Sequence, residues 1–458
     1  MTERSPAGAA RRLPDSIVLI FALIVLAQAA SYFVPAGEFE REGPRVVEGS
    51  YRAVDVAPLP PLAFLTSIPA GLAAAQEIIF FVFLVGGVIS VVRATGAFDG
   101  LIAAAIDRLS TRPEWLVAGM VALFALGSST VGMAEEYMPF VPILVTMCLA
   151  LRLDAVTAVG IVYVGAGVGY ACAALNPFTV LIAQDIAGVA LTSGQAVRWG
   201  LLLACAAVGV HHILRYAARV RRDPRASLVA DVDYSTGFAL EGGARLTGRH
   251  AAVLAVLVAG IGVFVYGVAA RGWYLVELST VFLAIGLLAA AVGRLGPNAA
   301  ARAFLRGAAE LTATALLIGF ARTIEVVLSD AKVIDTLVHW LAAPLGALPA
   351  HAAALGMLAA QTVCNLFIPS GSGQAYVTMP IMAPLADLTG VTRQTAVLAY
   401  QFGDGFTNML VPTNALLMGM LALGRIPYQQ WVRFVVPLLA KLYLVAALAL
   451  AAAVQLGF

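Results

Sequence analysis

The sequence predicts an all-α polytopic membrane protein with inverted repeats, two re-entrant hairpins and broken helices. Three observations lead to this prediction: the composition, the recurrence of apolar runs of membrane length, and the similarity between the two halves of the chain. Hydrophobic residues make up 61% of the 458 residues and charged residues only 12%, and the mean hydropathy is +0.91. An ordinary soluble domain carries roughly twice that share of charge.

Apolar runs long enough to cross a bilayer recur along nearly the whole chain. Because one spanning helix needs about 20 apolar residues, they indicate about nine full spans, together with two hairpins that enter the membrane and return. The run from Ser16 to Val34 is long for the apolar region of a signal peptide. We therefore interpret it as the first membrane helix.

Several classes of function find no support in the sequence. The net charge of +2 does not indicate nucleic-acid binding, and neither an HExxH motif nor a phosphate-binding loop occurs. All the cysteines lie in apolar stretches without a CxxC pair, which favours buried, unpaired thiols; they are Cys148, Cys172, Cys205 and Cys364. We therefore expect no cofactor, no resident metal ion, no nucleic-acid partner and no enzymatic activity.

The distribution of arginine predicts the orientation in the membrane. Arg4, Arg11 and Arg12 precede the first apolar run, so the N-terminus is expected to be cytoplasmic. The long polar stretch from Arg215 to Arg249 holds seven arginines against four acidic residues, which also places it in the cytoplasm. The mixed Gly- and Pro-containing segment 33–69 is expected to form an external loop.

Three blocks of the first half recur in the same order in the second half. The stretch GMVALFALGSSTVGMAEEYMPFVPILV from Gly119 parallels GMLAAQTVCNLFIPSGSGQAYVTMPIMAPLA from Gly356. The residues from Asp154 likewise parallel those from Thr392, and LVGGVISVVRATGAFDGLI from Leu84 parallels LIGFARTIEVVLSDAKVIDTLV from Leu317. This order indicates an internal duplication.

The duplication and the polar stretch predict the organisation of the chain. Residues 1–219 form the first repeat with a hairpin at 113–151, and residues 220–249 form a cytoplasmic loop. Residues 250–272 form a linking helix, and residues 273–458 form the second repeat with a hairpin at 349–389. Since the linking helix crosses the membrane once more, the repeats are inverted, an arrangement that secondary transporters use to place a site at the midplane.

Four polar breaks interrupt the apolar stretches: 128–130, 176–179, 369–373 and 412–414. An unpaired backbone group is costly in hydrocarbon, so such breaks persist where protein or a wet cavity satisfies them. A broken helix also directs free N–H or C=O groups at a ligand. Any one break could instead be a kink or a packing site of small residues, but two matching pairs favour a binding site.

Ionisable residues within the apolar stretches are further candidates, because a charge in the membrane is costly. They include Glu135, Glu136 and Asp404, for which a helix cap or an internal ion pair is the alternative. Arg322 and Glu325 are three residues apart on one helical face, which predicts that they pair with each other.

The motifs MAEEYMPFVPI, ALNPFTVLIAQ, IPSGSGQA, MPIMAPLADL and RQTAVLAYQFGDGFTN resemble the YfcC-like branch of the anaerobic dicarboxylate carrier (DcuC-type) family. That family belongs to the wider ion transporter superfamily. The resemblance runs from VPAGEFER at Val34 to IPYQQW at Ile426. It implies a multi-pass carrier of the bacterial inner membrane, a homodimer, in which a scaffold supports a mobile domain that holds both hairpins.

In that architecture the hairpin tips and unwound segments meet at the sites for substrate and coupling ion. Matching the segments places the following residues there: Ser128, Ser129, Thr130, Asn176, Thr179, Ser370, Ser372, Thr413 and Asn414. Glu135, Glu136, Gly371, Gly373, Asp404 and Asn408 complete the set of candidates. Related sodium-coupled dicarboxylate carriers have Ser-Asn-Thr tips, whereas the tips here read SST and PSGSG. Na⁺ at the hairpin tips and H⁺ both remain open as coupling ions, and so does dicarboxylate specificity.

The expected function is secondary active transport of a small charged metabolite, by ion coupling or exchange with elevator-like alternating access. Three candidate carboxylates against Arg322 favour an amino-acid-like or cationic substrate, such as a basic amino acid. Members of the YfcC-like branch are also commonly labelled as candidate basic amino acid exchangers. A dicarboxylate is the alternative, if bound Na⁺ or protonation cancels the negative charge. A channel and a membrane-embedded enzyme are the remaining rivals, and the expected partners are the substrate and the lipid bilayer.

Overall fold

The computed structural model describes residues 16–42, 45–47, 49–98, 100–101, 113–130, 132–176, 178–234, 246–271, 273 and 275–458. Regular structure within these ranges is almost entirely helical. The helices of the first half are α1 (Ser16–Ser31), α2 (Ala63–Ala74), α3 (Gln76–Ala94), α4 (Pro113–Thr130), α5 (Phe140–Ala150), α6 (Ala155–Ala171), α7 (Val180–Ile186) and α8 (Gln195–Arg222).

The second half repeats this helical character. Its helices are α9 (Gly248–Arg271), α10 (Leu275–Val292), α11 (Pro297–Glu310), α12 (Thr312–Asp330), α13 (Ile334–Ala342), α14 (Ala350–Asn365), α15 (Gly371–Thr389), α16 (Arg393–Thr407), α17 (Ala415–Leu423) and α18 (Tyr428–Leu456). Helix α9 occupies most of the range predicted for the linking helix. The all-α prediction therefore describes the fold apart from a few short strands.

The helices α6 and α16 begin in the same way in the two halves. Asp154 accepts a hydrogen bond from the backbone N–H of Thr157 at 2.9 Å. Thr392 accepts one from the backbone N–H of Thr395 at 3.1 Å. Each bond satisfies a donor that the first helical turn leaves without a partner, so the sequence itself fixes both helix starts.

Helices α6 and α16 form the centre of the molecule. Every residue of α6 except Tyr170 is buried, and so is every residue of α16 except Arg393. The two helices approach closely at Gly405, where an added Cβ would lie 2.4 Å from the backbone nitrogen of Ala171. Only glycine fits at this contact, which joins the two halves of the chain.

Helix α8 runs between the bases of the two segments predicted to be hairpins. Its 28 residues span about 42 Å at 1.5 Å per residue. Near its C-terminus, Tyr216 donates a hydrogen bond of 2.5 Å to Asp154, which follows segment 113–151. Beside its N-terminus, Gln394 donates one of 2.8 Å to Ser193, and Gln394 follows segment 349–389. The two bases therefore lie at opposite ends of α8.

We call the C-terminal end of α8 the basic face, because Arg219, Arg221 and Arg222 lie in its last turn. Helix α8 continues to Arg222, so the polar loop begins three residues later than the predicted boundary at 220. Residues 235–245 of this loop lie outside the described residues, as do residues 1–15 of the predicted cytoplasmic N-terminus.

Short strands order the loop that follows α1. They pair as β1 (Gly37–Glu38) with β4 (Arg52–Ala53), and β2 (Arg41–Glu42) with β3 (Arg45–Val46). Glu38 accepts hydrogen bonds from Lys332 at 2.7 Å and from Arg52 at 2.6 Å, and these two partners lower the pKa of the Glu38 carboxyl group. The sequence analysis missed these strands because a two-residue strand carries no alternating pattern.

Two helices of the described residues, α8 and α18, are long and apolar enough to cross a membrane. The number rises to four if the bent pairs α2 with α3 and α11 with α12, which turn by 56° and 42°, each count as one span. This is fewer than the nine spans expected from apolar runs. The difference arises because breaks and bends divide the runs into shorter helices, such as α5 and α6.

Candidate functional site

Segments at or beside the four predicted breaks surround a cavity of about 490 Å³. The first half contributes the loop 132–135, the middle of α6 and the α6–α7 break. The second half contributes the tip 369–372 and the α16–α17 break. Residues 73–77, at the bend between α2 and α3, complete the wall together with Arg322 of α12.

The structure divides the predicted site residues into three groups. Those that line the cavity are Glu135, Thr179, Ser370, Gly371, Ser372, Asn408, Thr413 and Asn414. Those that do not line it are Ser128, Ser129, Thr130, Asn176, Gly373 and Asp404. The side chain of Glu136 lies outside the described residues.

The residues of the first tip hold the α6–α7 break in place. Ser129 accepts a hydrogen bond from the backbone N–H of Ala174 at 3.1 Å. Asn176 donates through Nδ2 to the carbonyl of Ser128 at 2.9 Å, while the Ser128 hydroxyl donates to the carbonyl of Met133 at 2.7 Å. These side chains satisfy backbone groups that the breaks release, as a helix interrupted in an apolar setting requires.

In the second half, Asp404 lies directly behind the cavity wall and is 1% exposed. Its Oδ1 accepts hydrogen bonds from Nδ2 of Asn365 and Nδ2 of Asn408, both at 2.9 Å. Asn414 donates in turn to Oδ1 of Asn408 at 2.6 Å. Tyr163, from the first half, donates to Oδ1 of Asn414 at 3.3 Å. A chain of amides therefore connects the buried carboxyl group to the cavity and to the other half.

Gly371 forms the contact between the second tip and both halves of the site. An added Cβ there would lie 2.7 Å from Cγ2 of Thr179 and 3.1 Å from Oδ2 of Asp404. The carbonyl of Gly371 accepts a hydrogen bond of 2.6 Å from Tyr400, and Ser370 caps the helix that follows. The backbone of the tip is therefore fixed from several directions.

Two hydroxyl groups in the cavity wall lack a hydrogen-bond partner among the described residues. Thr179 Oγ1 lies at the break of the first half and Thr413 Oγ1 at the corresponding break of the second half, and both atoms are buried. Buried polar atoms are rarely left unsatisfied. Hydroxyl and amide oxygens of this kind suit a polar ligand or a hard cation.

Of the side chains that the structure describes, three charged ones line the cavity: Glu77, Glu135 and Arg322. Arg322 is paired with Glu325 at 2.5 Å, as their spacing on one helical face predicts. Glu77 was missed by the sequence analysis, because the α2–α3 bend that brings it to the wall lies inside one apolar run. The described residues contain no group of three or more His, Cys, Asp or Glu side chains placed to hold a metal ion.

Arg198 is a second residue that the sequence analysis missed. It is fully buried and donates at 3.4 Å both to the carbonyl of Ala173 and to Oε1 of Gln394. Its Nε has no partner among the described residues. The sequence did contain a signal for this residue, namely an arginine within an otherwise apolar helix.

Trp431 takes the equivalent position in the second half. It is also fully buried, and its Nε1 donates to the carbonyl of Met409 at 2.8 Å. Arg198 and Trp431 are each the fourth residue of a long helix, α8 and α18. Each bonds the second residue beyond the end of a central helix, α6 or α16. The two breaks are therefore anchored in matching ways, one by a cation and one by a neutral ring.

Comparison with known proteins assigns the chain to a family. The family model described as "C4-dicarboxylate anaerobic carrier", DcuC, matches residues 13–455. The chain belongs to this family. The resemblance to the DcuC family that was first seen in the motifs is thereby confirmed. Family membership and the apolar helices together make the chain a multi-pass membrane protein of a carrier family.

Two relatives match over most of their length. A protein of Escherichia coli K12 named "Putative basic amino acid antiporter YfcC" is 32% identical over 494 residues, covering 97% of each chain. An uncharacterised protein of Haemophilus influenzae is 31% identical over 420 residues, covering 90% of this chain and 82% of its own.

Two solved transporter structures are also similar. The YdaH transporter of Alcanivorax borkumensis has a TM-score of 0.43 at 16% identity, covering 97% of this chain and 99% of its own. MtrF of Neisseria gonorrhoeae, described within a class of antimetabolite efflux pumps, has a TM-score of 0.40 at 15% identity, covering 96% and 95%.

Proposed function

We propose that this DcuC-family protein is a secondary active carrier of an amino-acid-like, basic substrate in the bacterial inner membrane. The observation that carries the proposal is a single cavity bordered by the breaks of both halves and by two carboxylates, Glu77 and Glu135. Arg322 is engaged by Glu325. In a site of low dielectric, an excess of carboxylates attracts a cationic group and repels a dianion.

The substrate's remaining polar groups have partners in the same wall. The hydroxyls of Thr179 and Thr413 are buried without a partner among the described residues, and Asn408 and Asn414 present amides beside them. A zwitterionic head group needs donors and acceptors of this kind. The name of the Escherichia coli relative, which describes a basic amino acid antiporter, agrees with this substrate class.

Alternating access by inverted repeats is part of the proposal. Three matched features support it: the hairpin bases at opposite ends of α8, the anchors Arg198 and Trp431, and the unpartnered hydroxyls at both breaks. The repeats would comprise residues 1–219 and 273–458, with an elevator-like movement of the hairpins 113–151 and 349–389. The wall formed by residues 73–77 and Arg322 would belong to the stationary scaffold, in a homodimer.

Uptake into proteoliposomes tests the proposal. We expect arginine or ornithine to compete with labelled arginine, and succinate or fumarate to have little effect, with Na⁺ and pH gradients imposed separately to identify the coupling ion. Glu135→Gln should weaken uptake strongly. Glu114→Gln, at an exposed site in α4, is the matched control.

Three results would overturn the proposal. Strong inhibition by succinate without an effect of arginine, together with full activity of Glu135→Gln, would favour the dicarboxylate alternative. Uptake that never concentrates the substrate above its outside concentration, and that shows no exchange, would indicate a channel. Recovery of a chemically altered substrate would indicate an enzyme.

A further inference from the structure

A second cavity, of about 630 Å³, shares no lining residue with the first. It lies on the side of the basic face, because Tyr234, twelve residues after the end of α8, donates to the carbonyl of its lining residue Arg425. It lies between α3, α11 and the turn that joins α17 to α18, with Pro142 of the first hairpin segment at its edge. Its charged lining residues are Arg93, Arg306 and Arg425 against Glu310. The described lining therefore carries an excess of two positive charges.

The floor of this cavity is rigid, because α3 and α11 are in close contact there. A Cβ added at Gly307 would lie 2.1 Å from the carbonyl oxygen of Gly86. About two turns beyond Gly86, Arg93 lies in the last turn of α3 and donates to the hydroxyl of Thr146 at 3.2 Å. The guanidinium is therefore held over the floor and beside α5.

Arg425 is fixed from the opposite side by the turn that carries it. Its φ of 51° lies in the left-handed region, which a non-glycine residue adopts only when its surroundings hold it there. Tyr234 provides that support, since its hydroxyl lies 3.1 Å from the carbonyl of Gly424 and 3.2 Å from that of Arg425. The cluster is thus built into three separate segments of the chain.

The rest of the lining is divided by polarity. Pro142, Leu311 and Ala422 are half-buried residues that present apolar surface to the cavity, whereas Ser90 and Thr95 add hydroxyls near the arginines. A soluble anion would use only the polar part. A molecule with an anionic head and an apolar chain would use both parts.

We infer that this cavity binds an anionic phospholipid, with its phosphate at Arg93, Arg306 and Arg425 and the upper part of an acyl chain against Pro142, Leu311 and Ala422. Guanidinium groups bind phosphate oxygens through paired, charge-assisted hydrogen bonds. Basic pockets between membrane helices on the cytoplasmic side suit lipid headgroups. The bound lipid would touch α3 and α11 on one side and Pro142 and α17 on the other, so it would connect parts that the carrier moves relative to each other.

Thermal unfolding of the purified, delipidated full chain in detergent tests this inference. Phosphatidylglycerol added in mixed micelles should raise the melting temperature at low salt, and phosphatidylcholine should not. Arg306→Gln should weaken the apparent affinity for phosphatidylglycerol at least fivefold, and Arg306→Gln with Arg425→Gln should abolish the shift. Both side chains are exposed, so the variants are expected to fold. Arg302→Gln, exposed in the same helix and outside the cavity, should retain the wild-type response.

Three outcomes would overturn the inference. Equal stabilisation by phosphatidylcholine would show that the headgroup charge is not recognised. Stabilisation by glycerol 3-phosphate or inorganic phosphate at the same concentration would identify a soluble anion as the ligand. An undiminished response in the double variant would show that the lipid binds elsewhere.

Discussion

At Gly371, any side chain would meet both halves of the chain at once. The added Cβ would lie 2.7 Å from Thr179 and 3.1 Å from the carboxylate of Asp404. Neither neighbour can withdraw easily, because Asp404 is held by two amides and Thr179 begins a buried turn. The absence of a side chain at the tip is therefore what allows the second hairpin segment to close on the first break.

We expect Gly371→Ala to lower transport about tenfold or more, because overpacking of ~1–3 kcal/mol would destabilise the state in which the tip contacts Thr179 and Asp404. The amount of folded protein in the membrane should remain close to wild type. Gly119→Ala is the control, since nothing lies within 4 Å of its added Cβ. Normal transport by Gly371→Ala would mean that the tip does not close on Thr179 during the cycle.

The predicted break at 128–130 forms the end of helix α4, and the predicted site residue Asp404 lies behind the cavity wall. Local patterns in the sequence did locate the other breaks to within a few residues and did predict the Arg322–Glu325 pair. They could not identify Arg198 or Glu77. The partner of Arg198, Gln394, is 196 residues away, and Glu77 reaches the cavity only because α2 and α3 meet at an angle of 56°. Such long-range placements depend on tertiary packing rather than on residues that are neighbours in the sequence. The same holds for Ser128 and Ser129, which the structure uses to hold the break rather than to line the cavity.

At the scale of elements, the breaks depend on anchors supplied by α8 and α18. Trp431→Phe would keep most of the ring's packing while leaving the carbonyl of Met409 without this donor. We expect the free energy of unfolding to fall by about 1–3 kcal/mol, the usual cost of an unsatisfied buried group. Trp340→Phe, at a residue 49% exposed, should change the melting temperature little. If the two substitutions lowered the melting temperature equally, the hydrogen bond of Trp431 would not anchor the break.

The orientation of the elements can be tested by labelling single cysteines. Ala226→Cys lies in the segment after α8 and Ser50→Cys in the loop after α1, and we expect a membrane-impermeant maleimide to reach them from opposite sides. Background labelling should be low, because all the native cysteines are buried. Labelling of both positions from one side would contradict the inverted arrangement.

The strand-containing loop 37–53 adds a pH-dependent element. Partners lower the folded-state pKa of Glu38, so its contribution to stability is complete above the unfolded-state pKa and is lost as the pH falls through the lower, folded-state value. We expect the melting temperature to decline more steeply below about pH 4, the ordinary range of glutamate, and less steeply in Glu38→Gln. Because these pairs are exposed, the effect should be small and reduced by salt. An identical acid profile in the variant would exclude Glu38 as a contributor.

At the scale of the whole molecule, a substrate that binds only the folded protein must raise its stability. Arginine at about 100 times its Kd should increase the free energy of unfolding by about 2.7 kcal/mol. Succinate should leave it unchanged. Asp404→Asn should remove most of the shift, since the amide chain from Asp404 leads into the cavity. A shift with succinate alone would reverse the proposed charge preference.

The bond between Arg198 and Gln394 also sets a condition on how the protein is made. Gln394 follows Arg198 by 196 residues, which require about 10–40 s of translation at ordinary rates of synthesis. During that interval the guanidinium of a newly inserted α8 has the carbonyl of Ala173 as a partner but lacks Gln394, and an incompletely paired charge is poorly tolerated in hydrocarbon. The growing chain must therefore keep α8 beside water, lipid headgroups or the insertion machinery until α16 emerges from the ribosome.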